Sequence, residues 1–229
     1  MDLSINELAS MIELSSVKMD VTQSDIERLV ASAKKYHCKC IYALQSYIPF
    51  VKELLGGNKE ISIGSGVGYP SGSETTSAKV FQAKELMKMG CTDLDMVLNV
   101  GMLRSGKYDY VENDIKAIVD ASMDNCVKVI IEVAYLTDDE IKRASEACIK
   151  AGADYVKTGT GWAKKDTTTY HIKLIKSVVG DEIKIKASGG VRDLDTLVKM
   201  HQLGSSSFGV NLKCGVGIIE EYKSKYRLK

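Results

Sequence analysis

The chain has 229 residues, 45% of them hydrophobic, with 31 basic against 30 acidic side chains and a net charge of +1. The length suits one large α/β domain with a substantial core, and the interspersed charge offers no basic footprint for nucleic acid. No apolar run is long enough to span a bilayer, and with two prolines and no low-complexity stretch to mark a linker, one domain over residues 1–229 is expected.

The opening MDLSINEL is acidic and lacks an apolar run, so no secretory signal is expected. A short helix follows Met1 to about Met11, and MIELSSV then has weak strand character. Ser24-Asp-Ile-Glu27 reads as a capping box opening a helix with Ile26, Leu29, Val30 and Ala33 on one face. CKCIYAL (38–44) is a strand, and Pro49 sits in the first turn of a helix that ends at Gly56-Gly57. ISIGSGVG (61–68) is the next strand, followed by a Pro-Ser-Gly-Ser loop. A helix over about Thr76 to Met89 carries Val80, Ala83 and Met87 inward and stops at Gly90. DLDMVLNVG (93–101) is a strand, and the spacing of Val111, Ile115, Ile118, Val119 and Ser122 predicts a helix.

VKVIIEVA (127–134) is a strand with few polar interruptions, as when both faces are covered. Thr137-Asp-Asp-Glu140 is a second capping box, for a helix to Ala151. The strand of GADYVKTGTGW (152–162) comes next, then a helix around Tyr170 to Val179 with Gly180 beyond it. IKIKAS (183–188) is a strand, Asp193 caps a helix to Leu203, SFGVNL (207–212) is the last strand, and a final helix ends in the basic tail KSKYRLK (223–229), which suits the carbonyl end of its dipole. Strand-then-helix repetition implies a parallel sheet with helical crossovers. Counting MIELSSV there are eight strands, enough for a (β/α)8 TIM barrel with a short N-terminal helix; without it there are seven, and an open doubly wound sheet is the alternative.

Six cysteines (Cys38, Cys40, Cys91, Cys126, Cys148, Cys214) have no framework spacing, and no second pair or nearby histidine turns Cys38 and Cys40 into a zinc site. No metal site and reduced, mostly buried thiols in a cytoplasmic protein are expected. His37, His171 and His201 stand singly and read as surface or satisfied residues. Trp162 borders the pocket or packs under its loop.

In a barrel the strand C-termini converge on one face, where chemistry gathers. Three ionisable residues fall near those ends in apolar company: Asp95 on the fourth strand, Lys157 ending the sixth and Lys186 late in the seventh. Two ammonium groups on neighbouring strands disfavour each other's charge, so one amine moves toward neutrality and becomes a nucleophile, while Asp95 holds the other charged and relays a proton. That set suits imine formation with a carbonyl substrate; read from the residues alone, phosphate binding by the lysines fits as well. Gly189-Gly190 after the seventh strand and Gly209 in the eighth lie where such barrels bind phosphate through backbone N–H groups.

GADYVKTGTGW, IKIKASGGVRDLDT, DLDMVLNVGMLRSGKYDYV, VIIEVAYLTDDEI and the GYPSG turn with AKELMKMG together resemble the 2-deoxyribose-5-phosphate aldolase family from about Ile12 to Glu221. The resemblance implies a class I aldolase on a (β/α)8 barrel, a lyase of deoxyribose phosphate catabolism. Such enzymes cleave 2-deoxy-D-ribose 5-phosphate reversibly to acetaldehyde and D-glyceraldehyde 3-phosphate without metal or organic cofactor, and are typically cytosolic and often dimeric. Lys157 would form the Schiff base, Lys186 would lower its pKa and share proton transfer, and Asp95 would move protons at the substrate hydroxyl through a bound water. Thr158, Gly161, Gly189 and Gly190 fall where the family approaches the substrate or its phosphate.

Three departures stand beside the likeness. The family's Gly-x-Ser-Ser phosphate segment is here Gly209-Val-Asn211-Leu212; Asn211 keeps an amide donor, Leu212 has none, and Lys213 is placed to compensate. The usual acidic-His-Thr-Leu-Leu-Lys run is Glu13-Leu-Ser-Ser-Val-Lys18, and Tyr42-Ala43 replaces Asn-Pro after Cys40. A related Schiff-base aldolase for another sugar phosphate or acceptor aldehyde is therefore the second expectation, and a non-catalytic phosphosugar-binding barrel the third.

Overall fold

A computed structural model describes residues 3–226; Arg227, Leu228 and Lys229 of the expected basic tail lie outside the described residues. The chain begins with α1 (Ile5–Ser10), β1 (Ile12–Ser16), α2 (Gln23–Tyr36), β2 (Cys40–Ala43), α3 (Ile48–Leu55), β3 (Ser62–Val67) and α4 (Thr76–Met89). It continues with β4 (Asp93–Val97), α5 (Val100–Arg104), α6 (Tyr108–Ser122), β5 (Cys126–Ile130), α7 (Asp138–Lys150) and β6 (Tyr155–Lys157). Last come α8 (Thr169–Val179), β7 (Lys184–Ser188), α9 (Leu194–Gln202), β8 (Ser205–Asn211) and α10 (Leu212–Tyr226).

The strands pair in parallel, in sequence order, and close into a barrel. The weak strand of the sequence makes the closure: Glu13 of β1 stands opposite Cys40 of β2 on one side and Gly209 of β8 on the other. The open seven-stranded alternative is thereby excluded.

Strand side chains alternate between two surroundings. Ile12, Leu14, Ile41, Leu94, Met96, Val127, Val129, Val156, Ile185, Ala187, Phe208 and Val210 belong to the apolar core packed under the helices. The intervening positions (Glu13, Tyr42, Asp93, Asp95, Lys128, Lys157, Lys186 and Ser207) turn into the barrel, where they meet one another across its width. MIELSSV scores weakly as a strand because half of it serves this polar interior rather than the core.

Several local expectations change. Thr22, not Ser24, caps α2: its hydroxyl accepts the Asp25 N–H while the Asp25 carboxylate accepts the Thr22 N–H at 2.8 Å. The same pattern occurs in both places, and the earlier one still buries Ile26, Leu29, Val30 and Ala33. The box at Thr137 and Glu140 forms as expected. Strand β4 stops at Val97, because the Asn99 side chain accepts the Met102 N–H at 3.0 Å and starts α5. Strand β5 stops at Ile130, and Glu132 turns left-handed (φ 54°) into a 3-10 turn over Val133–Tyr135. On α4, Val80 and Met87 are only half-buried, whereas Lys79 is fully buried against Asp114 of α6 at 2.6 Å.

Candidate active site

The three-residue strand β6 carries Lys157 into the barrel, and the ladder sets it directly beside Lys186 of β7. Both ammonium heads reach the same oxygen of Asp95: Oδ2 lies 2.5 Å from Lys157 Nζ and 2.9 Å from Lys186 Nζ. The other carboxylate oxygen, Oδ1, is buried without a hydrogen-bond partner, so it remains able to accept a proton donor. Lys186 also forms an ion pair with Glu13 and lies 3.8 Å from the centre of the Tyr42 ring. Glu13 in turn accepts from Ser207 Oγ at 2.5 Å.

The two lysines are driven apart in character. Burial pushes the Lys157 amine down to about 8; the Asp95 carboxylate opposes this and the Lys186 ammonium adds to it. Removal from water thus outweighs the repulsion expected from the sequence. Burial acts on Lys186 in the same sense, but the Asp95 and Glu13 carboxylates win and hold it above its ordinary value. The carboxyls of Asp95 and Glu13 both sit below the usual range, since their lysines outweigh the cost of burial. The result is one amine poised near neutrality beside a cation and an anion that keep their charges.

A chamber of about 190 Å³ surrounds these groups, lined by Glu13, Tyr42, Tyr69, Asp95, Lys157 and Lys186. It shares Ser15, Val17, Thr160, Ser188 and Gly209 with an outer cavity of about 400 Å³. Gly161, Gly189, Gly190 and Asn211 line the outer cavity, together with Leu212 and Lys213 in the first turn of α10. Gly190 has φ 129°, and a Cβ there would lie 2.8 Å from the Thr167 carbonyl oxygen, so the backbone is bare by necessity. Asn211 Oδ1 accepts the Cys214 N–H at 2.9 Å, which caps α10 and uses the acceptor of that side chain.

Thr158 is placed otherwise. Its hydroxyl donates to the Ser188 carbonyl at 2.8 Å and accepts the Ser188 N–H at 2.9 Å, so the side chain laces β6 to β7 and lines neither cavity. Trp162 also packs: its indole N–H donates to the Val17 carbonyl at 3.2 Å, its ring meets Tyr69 edge-on, and Lys18 lies over it.

The sequence marks Glu13 and Tyr42 only as departures from the family pattern and gives Lys128 and Asp93 no role, yet all four complete the ion network. The available signal was a single charge inside an otherwise uncharged strand, Glu13 in β1 and Lys128 in β5, and the alternating Asp93 and Asp95 of β4. Among the described residues no group of three or more His, Cys, Asp or Glu is placed to hold a metal ion, and no helix is long and apolar enough to cross a membrane.

Comparison with known proteins agrees with this fold. The model of the DeoC/LacD family of aldolases matches residues 7–213. The chain is 40% identical to the deoxyribose-phosphate aldolase of Staphylococcus carnosus (strain TM300), over 95% of this chain and 98% of that one. It is 39% identical to the one of Rhizobium meliloti (strain 1021), over 96% and 88%. The deoxyribose phosphate aldolase of Aeropyrum pernix, described as a tetramer, superposes with a TM-score of 0.87 at 26% identity, covering 97% of this chain and 93% of that chain. An eight-stranded barrel whose interior holds a buried lysine with a lowered pKa, and a family model matched over most of its length, lead to one conclusion: the chain belongs to the DeoC/LacD family of aldolases.

Proposed function

We propose that the protein is a class I, Schiff-base aldolase that reversibly cleaves 2-deoxy-D-ribose 5-phosphate to acetaldehyde and D-glyceraldehyde 3-phosphate. The observation that carries this reading is the buried Lys157 amine, lowered to about 8 and bonded to an Asp95 carboxylate whose second oxygen is free. Lys157 adds to the C1 aldehyde of the open-chain sugar, and loss of water leaves a protonated imine. Asp95 takes the proton of the C3 hydroxyl, the C2–C3 bond breaks, and its electron pair passes to the imine as an enamine. Glyceraldehyde 3-phosphate leaves; protonation at C2 and hydrolysis release acetaldehyde and the free amine. Lys186, held charged between Asp95 and Glu13, keeps Asp95 ionised for the proton transfer and adds to the lowering of the Lys157 pKa.

In this reading the phosphate lies in the outer cavity against the backbone of Gly161, Gly189, Gly190 and Gly209, the Asn211 amide and the first turn of α10. The cavities share five lining residues, which supports a substrate that extends from one into the other. Thr158 serves by fixing β6 against β7 rather than by touching substrate. Relatives named deoxyribose-phosphate aldolase and six free thiols support a cytoplasmic catabolic role for one barrel domain, and the family resemblance alone suggests a homodimer. One observation favours a second reading: Leu212 brings no hydroxyl to the outer cavity, which suits an aldolase for a different sugar phosphate.

Acetaldehyde with borohydride should add an ethyl group to the Lys157 peptide, and a retro-aldol assay over a small panel of sugar phosphates should rank deoxyribose 5-phosphate first. Absence of an adduct with any aldehyde overturns the Schiff-base reading; a different first rank selects the second one.

A further inference from the structure

Deeper in the barrel than the reacting amine lies an ion cluster that imine chemistry does not itself use. Lys128 of β5 is fully buried and forms an ion pair with Asp93 of β4. Its ammonium donates to the Tyr42 hydroxyl of β2 at 3.0 Å and stands 3.7 Å from Glu13 Oε1 of β1. Tyr42 and Glu13 are also the two groups that, besides Asp95, hold Lys186. On the remaining sides Lys128 faces the Cys40 thiol and the Tyr155 ring at 5.3 Å, with Lys39 and Lys184 around that same ring. Neither Lys128 nor Asp93 lines either cavity.

The buried interior of the barrel therefore contains three carboxylates (Glu13, Asp93, Asp95) and three lysines (Lys128, Lys157, Lys186). With Lys128 and Lys186 charged and Lys157 a free amine, the set bears one net negative charge. A protonated imine on Lys157 brings it to neutrality. Unbalanced charge is costly where water is excluded, so this interior favours the cation that the reaction forms. Without Lys128 the deficit doubles, and the least costly remedy is a proton kept on Lys157.

We propose that Lys128, with Asp93 as its counter-ion, is a positioning pair for the aldolase reaction: it fixes Glu13 and Tyr42 against Lys186 and sets the interior charge that governs how readily Lys157 gives up its proton. This rests on Lys157 being the imine-forming residue. A purely structural ion pair would move stability and nothing else.

The test reads the Lys157 amine directly, as the rate of reductive ethylation of its peptide by acetaldehyde and cyanoborohydride from about pH 6 to about pH 10. In Lys128→Met the acid limb of that rate should move to higher pH by about one unit, so trapping at neutral pH slows about tenfold and recovers in alkali. Asp93→Asn should move the limb the opposite way, and the double variant Lys128→Met, Asp93→Asn should return it toward wild type while KM for the phosphorylated sugar stays unchanged. A limb unmoved in Lys128→Met, or a loss equal at every pH that the double variant does not restore, overturns the proposal. If Lys128→Met does not fold, Asp93→Asn decides alone, and a limb that fails to move to lower pH overturns it. No adduct in the wild-type protein removes the Schiff-base reading itself, and this inference with it.

Discussion

Lys157 Nζ lies 2.5 Å from Asp95 Oδ2, and this contact opposes the effect of burial on the lysine. Burial lowers the amine toward neutrality, while the carboxylate raises it again and so keeps it at about 8 rather than lower. In the proposed mechanism the nucleophile is slightly under-activated so that a base can stand beside the hydroxyl it deprotonates. The free oxygen of Asp95 is the other side of that compromise.

Asp95→Asn should therefore separate the two halves of the reaction. With the anion gone, Lys157 loses its protonating partner and traps acetaldehyde at least as fast at neutral pH. Carbon–carbon cleavage, which needs the base, should fall about 10²- to 10³-fold. Borohydride trapping and steady-state cleavage measured on the same preparation check this; parallel losses in both would contradict it.

The pH profile follows from the same amine. As pH rises through about 8, Lys157 loses its proton and kcat/KM should climb to a plateau. Stability carries the matching sign. Folded Lys157 titrates below its ordinary value of 10.5, so between about 8 and 10.5 the unfolded chain binds more protons and this residue's contribution to stability grows with pH. The buried thiols, raised by burial, give the opposite slope in the same window, so denaturant titrations of wild type and Lys157→Leu should differ by a slope of the Lys157 sign.

Lys157→Leu should abolish cleavage and leave the thermal midpoint no lower than wild type near neutral pH. The substitution removes a desolvated amine and leaves Asp95 paired with Lys186. Residual turnover in that variant would place the nucleophile elsewhere.

At the outer cavity, Lys213→Ala should raise KM for the phosphorylated sugar roughly threefold with little change in kcat, since exposed ion contacts contribute at most about 1 kcal/mol. Leu212→Ser adds a donor in the first turn of α10 and should lower the same KM. Unphosphorylated deoxyribose should respond to neither, which a two-substrate comparison tests directly.

Away from the site, Lys79 and Asp114 pair at 2.6 Å with both side chains buried. Lys79 also donates to the Val97 carbonyl and Asp114 accepts from Thr76. Asp114→Ala strands a buried ammonium and should cost about 3–5 kcal/mol of stability, whereas Lys79→Met with Asp114→Leu together should cost far less. Chemical denaturation of both variants separates a stranded charge from a general packing defect.

Much of this architecture is legible in the sequence. The bounds of α4 at Thr76 and Met89 follow from helical spacing and a closing Gly90, and the box at Thr137 and Glu140 announced α7 at its true start. Asp95, Lys157 and Lys186 stood out as charges at strand ends. Glu13, Lys128 and Asp93 did not, because a polar residue in a strand shows only which face it is on, not whether that face looks into a lumen or onto solvent. Asn99 and Glu132 escaped for a local reason: each breaks a strand by a side-chain cap or a left-handed turn inside a run that still looks extended.

The order of residues by itself determined the alternation of strand and helix, the apolar faces and the presence of an amine, a second amine and a carboxylate at strand ends. Those are properties of neighbours within a few positions. Which oxygen meets which nitrogen, and which lysine is deprived of water, belong to partners 62 and 91 positions apart that meet only once β1 closes the barrel. Desolvation and Coulomb attraction depend on distance through space, and no local pattern encodes them.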